Sequence, residues 1–545
     1  MTSDTPSNAD SASGTVFLVG AGPGDPGLVT VTGHDLLRRA DAVVFDALAN
    51  PALLALAPAS ARRLDVGKRA RHHKLTQDQT NQLLLDLARE GLNVVRLKGG
   101  DPYLFGRGAE ECAFLTAHGV RCEVVPGVTA GIAGPATAGI PVTHRKTAST
   151  VTIVTGHEDP TKGRTSVDYG GLAALVRTGG TACFYMGVGR LPAIADELTS
   201  KGLSPDTPAA AVQWGTLPRQ RTVRGTLATL PEAVTAAGLG APAIIVVGAV
   251  ASLDEPGLDF FTDRPLFGQR VLVTRTRHQA SGLSERLRAA GAEVIEAPTL
   301  ELVPPADWSA VDAAVGRLAG DTDADADADA EVGGYDWLVL TSINAVDTLA
   351  DRLAATGHDA RALAGVRVAV VGQSTAEALL SRLAVRADLL PDRFTADSLA
   401  REMADAAPAG AGLAGQHCLL LRADIARPGL PAALAAAGAA VDEVVAYATQ
   451  PPAALDPAAL EALRDGAIDW ITFTSSSTAR NLHALLGEEA ALLAGVNTAS
   501  IGPATTQTVR GLGLGPTVEA SQATLDALVA SIIQTHAPGQ APALS

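Results

Sequence analysis

The stretch LVGAGPGDPGLVT, residues 18–30, decides how the first half of the chain folds. It continues the apolar run that begins at Val16 and carries glycines at positions 20, 22 and 24, which predicts a strand followed by a glycine loop. A dinucleotide-binding loop of this kind requires a helix that begins at the last glycine. Pro23, Asp25 and Pro26 stand where that helix would begin, so the pattern argues against a bound NAD.

The composition is that of a globular protein with several domains. The chain has 545 residues, of which 47% are hydrophobic and 18% charged. A net charge of −16 argues against nucleic acid or an anionic membrane surface as a main partner, and no long apolar run predicts a membrane span. Residues 1–14 predict a disordered tail without a signal peptide. The four cysteines form no CxxC pair or Cys/His cluster, which indicates a cytoplasmic protein without a metal site.

The second half of the chain repeats itself. Prolines, glycines and charges interrupt the sequence at 253–269, and a new apolar strand begins at Arg270. Beyond it, three blocks occur twice in the same order, beginning at residues 268 and 415, 336 and 469, and 368 and 499. Each block is a buried strand, a Ser/Thr-rich turn and an Ala/Leu-rich helix, which predicts doubly wound parallel sheets. The acidic run DTDADADADA, residues 321–330, is predicted to be a solvated loop insertion.

The first half contains further glycine-rich segments after apolar strands: VVRLKGGDPYLFGRG (94–108), VVPGVTAGIAGPATAGIPVTH (124–144) and FYMGVGR (184–190). Glycines at several strand ends let a ligand approach the backbone closely. A pyrophosphate would instead use one loop that leads directly into a helix N-terminus. The arrangement therefore favours a small, flat ligand.

Taken in order, these segments resemble uroporphyrinogen-III C-methyltransferase, of the tetrapyrrole methylase superfamily. The resemblance extends from about Val16 to Leu253 and includes VVFD, GKRA, PGVTA, AGIPVTHR and YMG. It implies a fold of two α/β subdomains with S-adenosylmethionine in the cleft between them. The resemblance places the contacts to the methyl donor on Pro23, Gly99, Gly100, Asp101, Leu104, Thr129, Ala130, Met186 and Gly215. For Met186 the alternative is that the side chain belongs to the hydrophobic core.

Methylation of a tetrapyrrole carbon requires that the macrocycle lose a proton once the methyl group has arrived. The resemblance implies Asp46, in VVFDAL, as the base and Lys68, in GKRA, as the proton donor. The alternatives are an acidic cap after a strand for Asp46 and a solvated surface charge for Lys68. Arg107 is a candidate clamp for a substrate carboxylate, because its guanidinium can pair bidentately. Three positions that bear on substrate placement depart from the family pattern: Ala109, Lys146 and Trp214.

The second half resembles uroporphyrinogen-III synthase through VLVTR, LTSINAV, VGQSTA, VAYAT, FTSSSTA and IGPATT. That family implies two doubly wound domains joined by crossing strands, because the chain leaves domain one, builds domain two and returns. Subdomain one is assigned to 269–302 plus 450–536, and subdomain two to 303–449. The remaining assignments are the methyltransferase domain at 15–255, a linker at 256–268 and a tail at 537–545.

Hydroxyl groups at four strand-to-helix junctions are candidate binding sites for the carboxylates of a linear tetrapyrrole. Tyr447 matches the tyrosine of the synthase family, which implies that it assists loss of the substrate hydroxyl; a core or hinge position is the alternative. The candidate residues at these junctions are Ser342, Thr375, Ser475 and Thr505. The alternative is that they serve only as N-caps of the helices that follow.

These resemblances imply an enzyme that cyclises hydroxymethylbilane to uroporphyrinogen III and methylates it twice to precorrin-2. S-adenosylmethionine is the expected methyl donor, no metal is expected, and the family implies a homodimer formed through the methylase domain. One rival hypothesis makes the second half a non-catalytic tetrapyrrole-binding module. Another makes the first half a methylase for a later corrin intermediate or for RNA; the acidic balance and the fused second half count against RNA.

Overall fold

The computed structural model describes residues 13–67, 75–157, 165–275, 277–321, 334–391, 396–406, 412–424 and 429–536. Most of both predicted tails and residues 322–330 of the acidic run lie outside them. The described residues form four five-stranded sheets, which confirms the predicted α/β class. In the described part of the chain, no helix is both long and apolar enough to cross a membrane.

The chain divides into two compact units. One contains the residues up to Val271, the segment Ser284–Val294 and the residues from Val529 onward. The other contains Leu272–Leu283 and Ile295–Leu528.

The first sheet is parallel, with the strand order β3-β2-β4-β1-β5. Because parallel strands end at one edge of a sheet, the loops after its strands all open onto the same side. The strands are β1 (Val16–Gly20), β2 (Ala42–Phe45), β3 (Arg62–Asp65), β4 (Val94–Lys98) and β5 (Cys122–Val125). The helices between them are α1 (Val31–Leu37), α2 (Pro51–Leu54), α3 (Gln77–Arg89) and α4 (Gly108–Ala117).

The second sheet is mixed, with the order β6-β7-β10-β8-β9. Strands β6 and β7 are parallel, and the other pairs are antiparallel. The strands are β6 (Thr150–Thr155), β7 (Gly180–Tyr185), β8 (Pro208–Gln213), β9 (Arg221–Thr226) and β10 (Ala243–Val247). The helices are α5 (Ala130–Thr137), α6 (Tyr169–Arg177), α7 (Leu191–Ser200) and α8 (Leu230–Ala236). Together the two sheets form the two predicted α/β subdomains.

The segment predicted as a linker, 256–268, contains buried apolar residues. Phe261 is 4% exposed and Leu266 is fully buried. The rings of Phe261 and Phe267 lie edge to face, with their centroids 5.6 Å apart. Apolar anchors of this kind are typical of a segment that packs against a domain, rather than of a free tether.

The second half contains two further sheets, in the orders β12-β11-β18-β19-β20 and β13-β17-β16-β14-β15. The first is built from β11 (Arg270–Val273), β12 (Glu293–Glu296), β18 (Trp470–Phe473), β19 (Ala494–Ser500) and β20 (Gly515–Glu519). The second is built from β13 (Glu301–Val303), β14 (Trp337–Leu340), β15 (Arg367–Val370), β16 (His417–Ala423) and β17 (Ala440–Gln450). Glu301 of β13 pairs antiparallel with Gln450 of β17, so the two connections between the sheets run side by side, as the crossing-strand prediction required.

Each repeated block folds as a strand followed by a helix. The junctions β14–α11 and β18–α16 are equivalent in detail, because both helices begin after a serine in nearly the same conformation: Ser342 at φ −156°, ψ 160° and Ser475 at φ −161°, ψ 159°. The helices of this half are α9 (Arg277–Ala289), α10 (Ser309–Ala319), α11 (Ile343–Ala355), α12 (Gln373–Leu383), α13 (Ala396–Asp405), α14 (Gly429–Ala436), α15 (Pro457–Arg464), α16 (Ser476–Leu486), α17 (Pro503–Gly511) and α18 (Leu525–Thr535).

Candidate active site

The loops that follow β1 and β4 are held together through their backbones. The N–H of Gly100 donates to the carbonyl of Gly22 at 2.7 Å, and the N–H of Gly22 donates to the carbonyl of Gly100 at 3.3 Å. A Cβ atom on Gly127, in the loop after β5, would lie 2.2 Å from the carbonyl oxygen of Gly100. Only glycine permits this approach, so three of the predicted glycine-rich loops meet at one edge of the first sheet.

Asp101 fixes the same loops with both of its carboxylate oxygens. Oδ2 accepts from the N–H of Gly127 at 3.0 Å, and Oδ1 accepts from Tyr103 and Leu104 at 2.8 and 3.1 Å. The carboxylate was predicted to bind the methyl donor directly. Its hydrogen bonds show that it also orders the segment carrying Leu104, another predicted donor contact.

In the second subdomain, the end of β7 contacts the start of α5. The Tyr185 hydroxyl lies 2.5 Å from Thr129 Oγ1 and also accepts from the N–H of Gly131, at the start of α5. Burial raises the pKa of the Tyr185 hydroxyl, so it stays protonated. Met186 follows directly and is 52% exposed, which excludes the alternative of a core methionine.

The loop after β8 contacts both subdomains. Thr216 Oγ1 accepts from the N–H of Asp25, in the loop after β1, at 3.1 Å. A Cβ atom on Gly215 would lie 2.5 Å from Cα of Gly134 in α5, so this glycine allows two backbones to touch. The predicted donor contacts therefore lie on loops that converge between the two subdomains.

Backbone strain is concentrated in these loops. Among the described residues, six that are not glycine have a positive φ angle, and only Ala384 lies outside the first half. Such conformations are unfavourable for residues with side chains and accumulate at ligand sites, where the surrounding structure enforces them. The other five are Phe105, Arg107, Met186, Trp214 and Thr216.

The predicted catalytic aspartate lies at the end of β2. Asp46 is half-buried, and its Oδ1 accepts from the N–H of Leu48 at 3.2 Å, the geometry of a cap after a strand. Its Oδ2 lies 3.8 Å from Nη2 of the buried Arg96. The carboxylate thus has a cation on its inner side and an open side toward solvent. Lys68, its predicted partner, lies outside the described residues.

Arg107 is not free to bind a substrate in this structure. Its guanidinium makes a bidentate contact with Glu110, with Nη2 at 2.6 Å and Nε at 3.1 Å. This hydrogen-bonded pairing raises the pKa of Arg107 and lowers that of Glu110. A substrate carboxylate would have to displace Glu110 from the guanidinium.

In the second half, the structure brings together two of the predicted residues. The Tyr447 hydroxyl lies 3.0 Å from Ser342 Oγ, which also accepts from the N–H of Ala345 as the N-cap of α11. Ser475 caps α16 in the same way through Thr478. Thr375 and Thr505 are the third residues of α12 and α17 and are 4% and 5% exposed. For the two serines, the alternative of N-capping is therefore realised in this structure.

Comparison with known proteins identifies both halves. The family model of Tetrapyrrole (Corrin/Porphyrin) Methylases matches residues 15–231, and that of Uroporphyrinogen-III synthase HemD matches residues 281–530. The porphyrin biosynthesis protein HemD of Ruminiclostridium josui is 34% identical over 521 residues, which cover 96% of this chain and 98% of that protein. The chain belongs to the family of tetrapyrrole methylases fused to uroporphyrinogen-III synthases.

Relatives of the methylase half match more closely. The uroporphyrinogen-III C-methyltransferase of Synechocystis is 50% identical over 239 residues, which cover 44% of this chain and 90% of that protein. The solved structure of uroporphyrin-III C-methyl transferase from Thermus thermophilus, complexed with S-adenyl homocysteine, is 39% identical, covers 44% of this chain and 98% of that chain, and gives a TM-score of 0.36. By the family-model and sequence matches, the chain is a tetrapyrrole biosynthesis protein with a uroporphyrinogen-III C-methyltransferase half and a uroporphyrinogen-III synthase half.

Sequence reasoning missed several features of the fused enzyme. Cys112 and Cys122 form a disulfide between α4 and β5, a pairing that the spacing of the four cysteines did not indicate. Arg96 and Lys98 are buried in β4 beside Glu111. The sequence offered one sign of this, because two cationic residues stand within a segment predicted to be a buried strand. Nothing in the sequence indicated that the Tyr185 hydroxyl would fix the start of α5.

Proposed function

We propose that the fused enzyme cyclises hydroxymethylbilane to uroporphyrinogen III and then methylates this product twice, with S-adenosylmethionine, to give precorrin-2. The observation that carries the methylase proposal is the convergence of the loops after β1, β4, β5, β7 and β8 between two subdomains. The synthase proposal rests on the two sheets joined by crossing strands and on the family match.

The methyl donor is proposed to bind between the loop after β4, which contains Gly99–Leu104, and the start of α5. Exposed apolar side chains around this cleft, such as Phe105 at 41% and Met186 at 52%, suit the flat adenine and macrocycle rings. The donor contacts proposed from the family resemblance belong to these loops and to the start of α5, and Asp101 holds the backbone N–H groups of Tyr103 and Leu104 in place.

Asp46 is proposed to accept the proton that the macrocycle loses after one of its carbons has attacked the sulfonium methyl group and released S-adenosylhomocysteine. Support comes from its position at the sheet edge, its partial exposure and the hydrogen bond from Leu48 that orients it. Lys68 remains the proposed proton donor. Arg107 is proposed to exchange Glu110 for a substrate carboxylate, because the bidentate geometry is already formed.

In the synthase half, Tyr447 is proposed to assist departure of the hydroxyl group of hydroxymethylbilane. Ser342 orients the Tyr447 hydroxyl from 3.0 Å, and Ser342, Thr375, Ser475 and Thr505 are proposed to contact substrate carboxylates.

We also propose the domain assignments 15–255 and 269–536, a cytoplasmic location and a homodimer formed through the methylase half. Light scattering of the purified chain measures the oligomeric state.

The deciding experiment uses the intact chain. Incubation with hydroxymethylbilane alone should give an excess of the type III isomer over the type I isomer that forms spontaneously, as measured by chromatography of the oxidised porphyrins. Addition of S-adenosylmethionine should then give the dimethylated product by mass spectrometry. Methylation of supplied uroporphyrinogen III without any type III excess would instead favour a non-catalytic binding module in the second half.

A further inference from the structure

Four charged side chains, one of them that of Asp46, lie together on one face of the first sheet. Val44 of β2 pairs with Arg96 of β4, and side chains two residues apart share a face of a strand. Asp46, which follows β2, therefore belongs to the same face as Arg96 and Lys98. On this face the core is packed with residues of α3 and α4, including Leu84 and Leu115.

The fourth charged residue is Glu111 of helix α4, which lies four residues before the buried Leu115. Glu111 is fully buried, and its Oε1 accepts from Lys98 Nζ at 2.9 Å and from Gln77 Nε2 of α3 at 3.0 Å. The same oxygen lies 3.5 Å from Nε of Arg96. Burial and the neighbouring Arg96 lower the pKa of Lys98, which is the expected result of two cations in one apolar environment.

Arg96 lies between this buried anion and Asp46. Its Nη2 lies 3.8 Å from Asp46 Oδ2, and its Nη1 donates to the carbonyls of Leu97 and Val44 at 3.2 and 3.4 Å. The guanidinium, whose side chain is 6% exposed, is therefore fixed by two backbone hydrogen bonds and lies within ion-pair distance of both carboxylates, although its Nε makes no hydrogen bond within the described part of the chain. With Lys98 and Glu111, the group is electrically balanced when Asp46 carries its negative charge.

We propose that Arg96 is a positioning residue for methyl transfer, which holds the Asp46 carboxylate in place from its buried side and is itself anchored by Glu111. This inference rests on the proposed role of Asp46 as the base. Stability alone does not explain a buried arginine between two carboxylates, because apolar side chains of similar volume would give a core that is equally stable. A role in positioning the half-exposed Asp46 does explain it.

The test is a double-mutant comparison in the intact chain, with supplied uroporphyrinogen III and S-adenosylmethionine both saturating. Arg96→Met should lower kcat by about tenfold or more, a part of the about 10²–10⁴-fold that a general base contributes. In the Asp46→Asn background, the same substitution should change the residual rate by less than about twofold, because Arg96 then has no base to position. Affinity for S-adenosylhomocysteine, measured by calorimetry, should stay within about twofold in all variants.

Arg62→Met is the matched control, because Arg62 lies on β3 of the same sheet and pairs with Glu90 at the surface at 2.7 Å. It should leave kcat unchanged. If Arg96→Met fails to fold, Arg96→Lys gives the same comparison, because one ammonium group cannot contact Glu111 and Asp46 at once. An equal loss of kcat in the wild-type and Asp46→Asn backgrounds would overturn the role of Arg96. Near-normal turnover of Asp46→Asn itself would instead remove Asp46 as the base.

Discussion

The Tyr447 hydroxyl lies 3.0 Å from Ser342 Oγ, the N-cap of α11. Tyr447 is only 9% exposed and packs with the hydrophobic core that includes Leu338, Leu349 and Leu419. The ring of Tyr447 therefore packs in the core, in agreement with the alternative that it is a core residue. Its hydroxyl reaches the strand-to-helix junction where substrate carboxylates are proposed to bind. Substitutions that separate the ring from the hydroxyl distinguish these two contributions.

Tyr447→Phe should lower the yield of the type III isomer while leaving methylation of supplied uroporphyrinogen III unchanged. Phenylalanine preserves the packed ring and removes only the oxygen, so the free energy of unfolding should change by about 1 kcal/mol or less. Chromatography of the porphyrin isomers measures the first effect, and the methylation rate of the same sample is the internal control. Equal loss of both activities would mean that the residue supports the fold.

Asp46→Asn should reduce methyl transfer by about 10²-fold or more, because the amide keeps the shape of the side chain but cannot accept the proton. The hydrogen bond from Leu48 can still be accepted by the amide oxygen, so the loop should hold its conformation. Affinity for S-adenosylhomocysteine should be retained. Steady-state rates at saturating uroporphyrinogen III decide the matter, and an unchanged kcat would refute the assignment.

Gly215→Ala should destabilise the methylase half by about 1–3 kcal/mol and weaken donor binding, because the added Cβ would overlap the backbone of Gly134. The control is Gly189→Ala, since a Cβ there would meet nothing within 4 Å. Thermal unfolding with and without S-adenosylhomocysteine reports both effects. Equal melting temperatures for the two variants would show that the backbones can separate without loss.

Under denaturing conditions without reductant, thiol titration should detect two of the four cysteines, and four after reduction, because Cys112 and Cys122 are joined. In the native protein even Cys183 and Cys418 should react slowly near neutral pH, since burial raises their pKa values to about 12 and about 11. Replacement of both bridged cysteines by serine should lower the free energy of unfolding by about 2–3 kcal/mol. Four reactive thiols in the unreduced denatured sample would exclude the disulfide.

Deletion of residues 322–330 should leave both activities intact and shift the melting temperature by no more than about 1–2 °C, because the sequence predicts a solvated loop here and shortening such a loop changes the closure entropy little. Asp321 is retained because its carboxylate pairs with His358 at 3.0 Å. Calorimetry of the two chains makes the comparison. Loss of synthase activity would assign a role to the acidic run.

The architecture follows from local patterns in the sequence. Apolar strands that end in glycine loops, and a block of strand, turn and helix that occurs twice, are features of neighbouring residues and persist wherever the segments are placed. The repeat predicted the equivalent junctions at Ser342 and Ser475, and the position of Pro23 and Pro26 argued correctly against a helix that begins at Gly24.

The contacts that complete the site depend on the tertiary structure. Arg96 approaches Asp46 only because β2 and β4 are paired in one register, although fifty residues separate them along the chain. Likewise, the packing of α3 and α4 determines that Glu111 anchors the two cations of β4, and the folding of the second subdomain brings Tyr185 to Gly131. Local sequence determines which side chains a strand or loop can present; the pairing of distant segments determines which charges meet, because electrostatic contacts act over a few ångströms of space and are independent of separation along the chain.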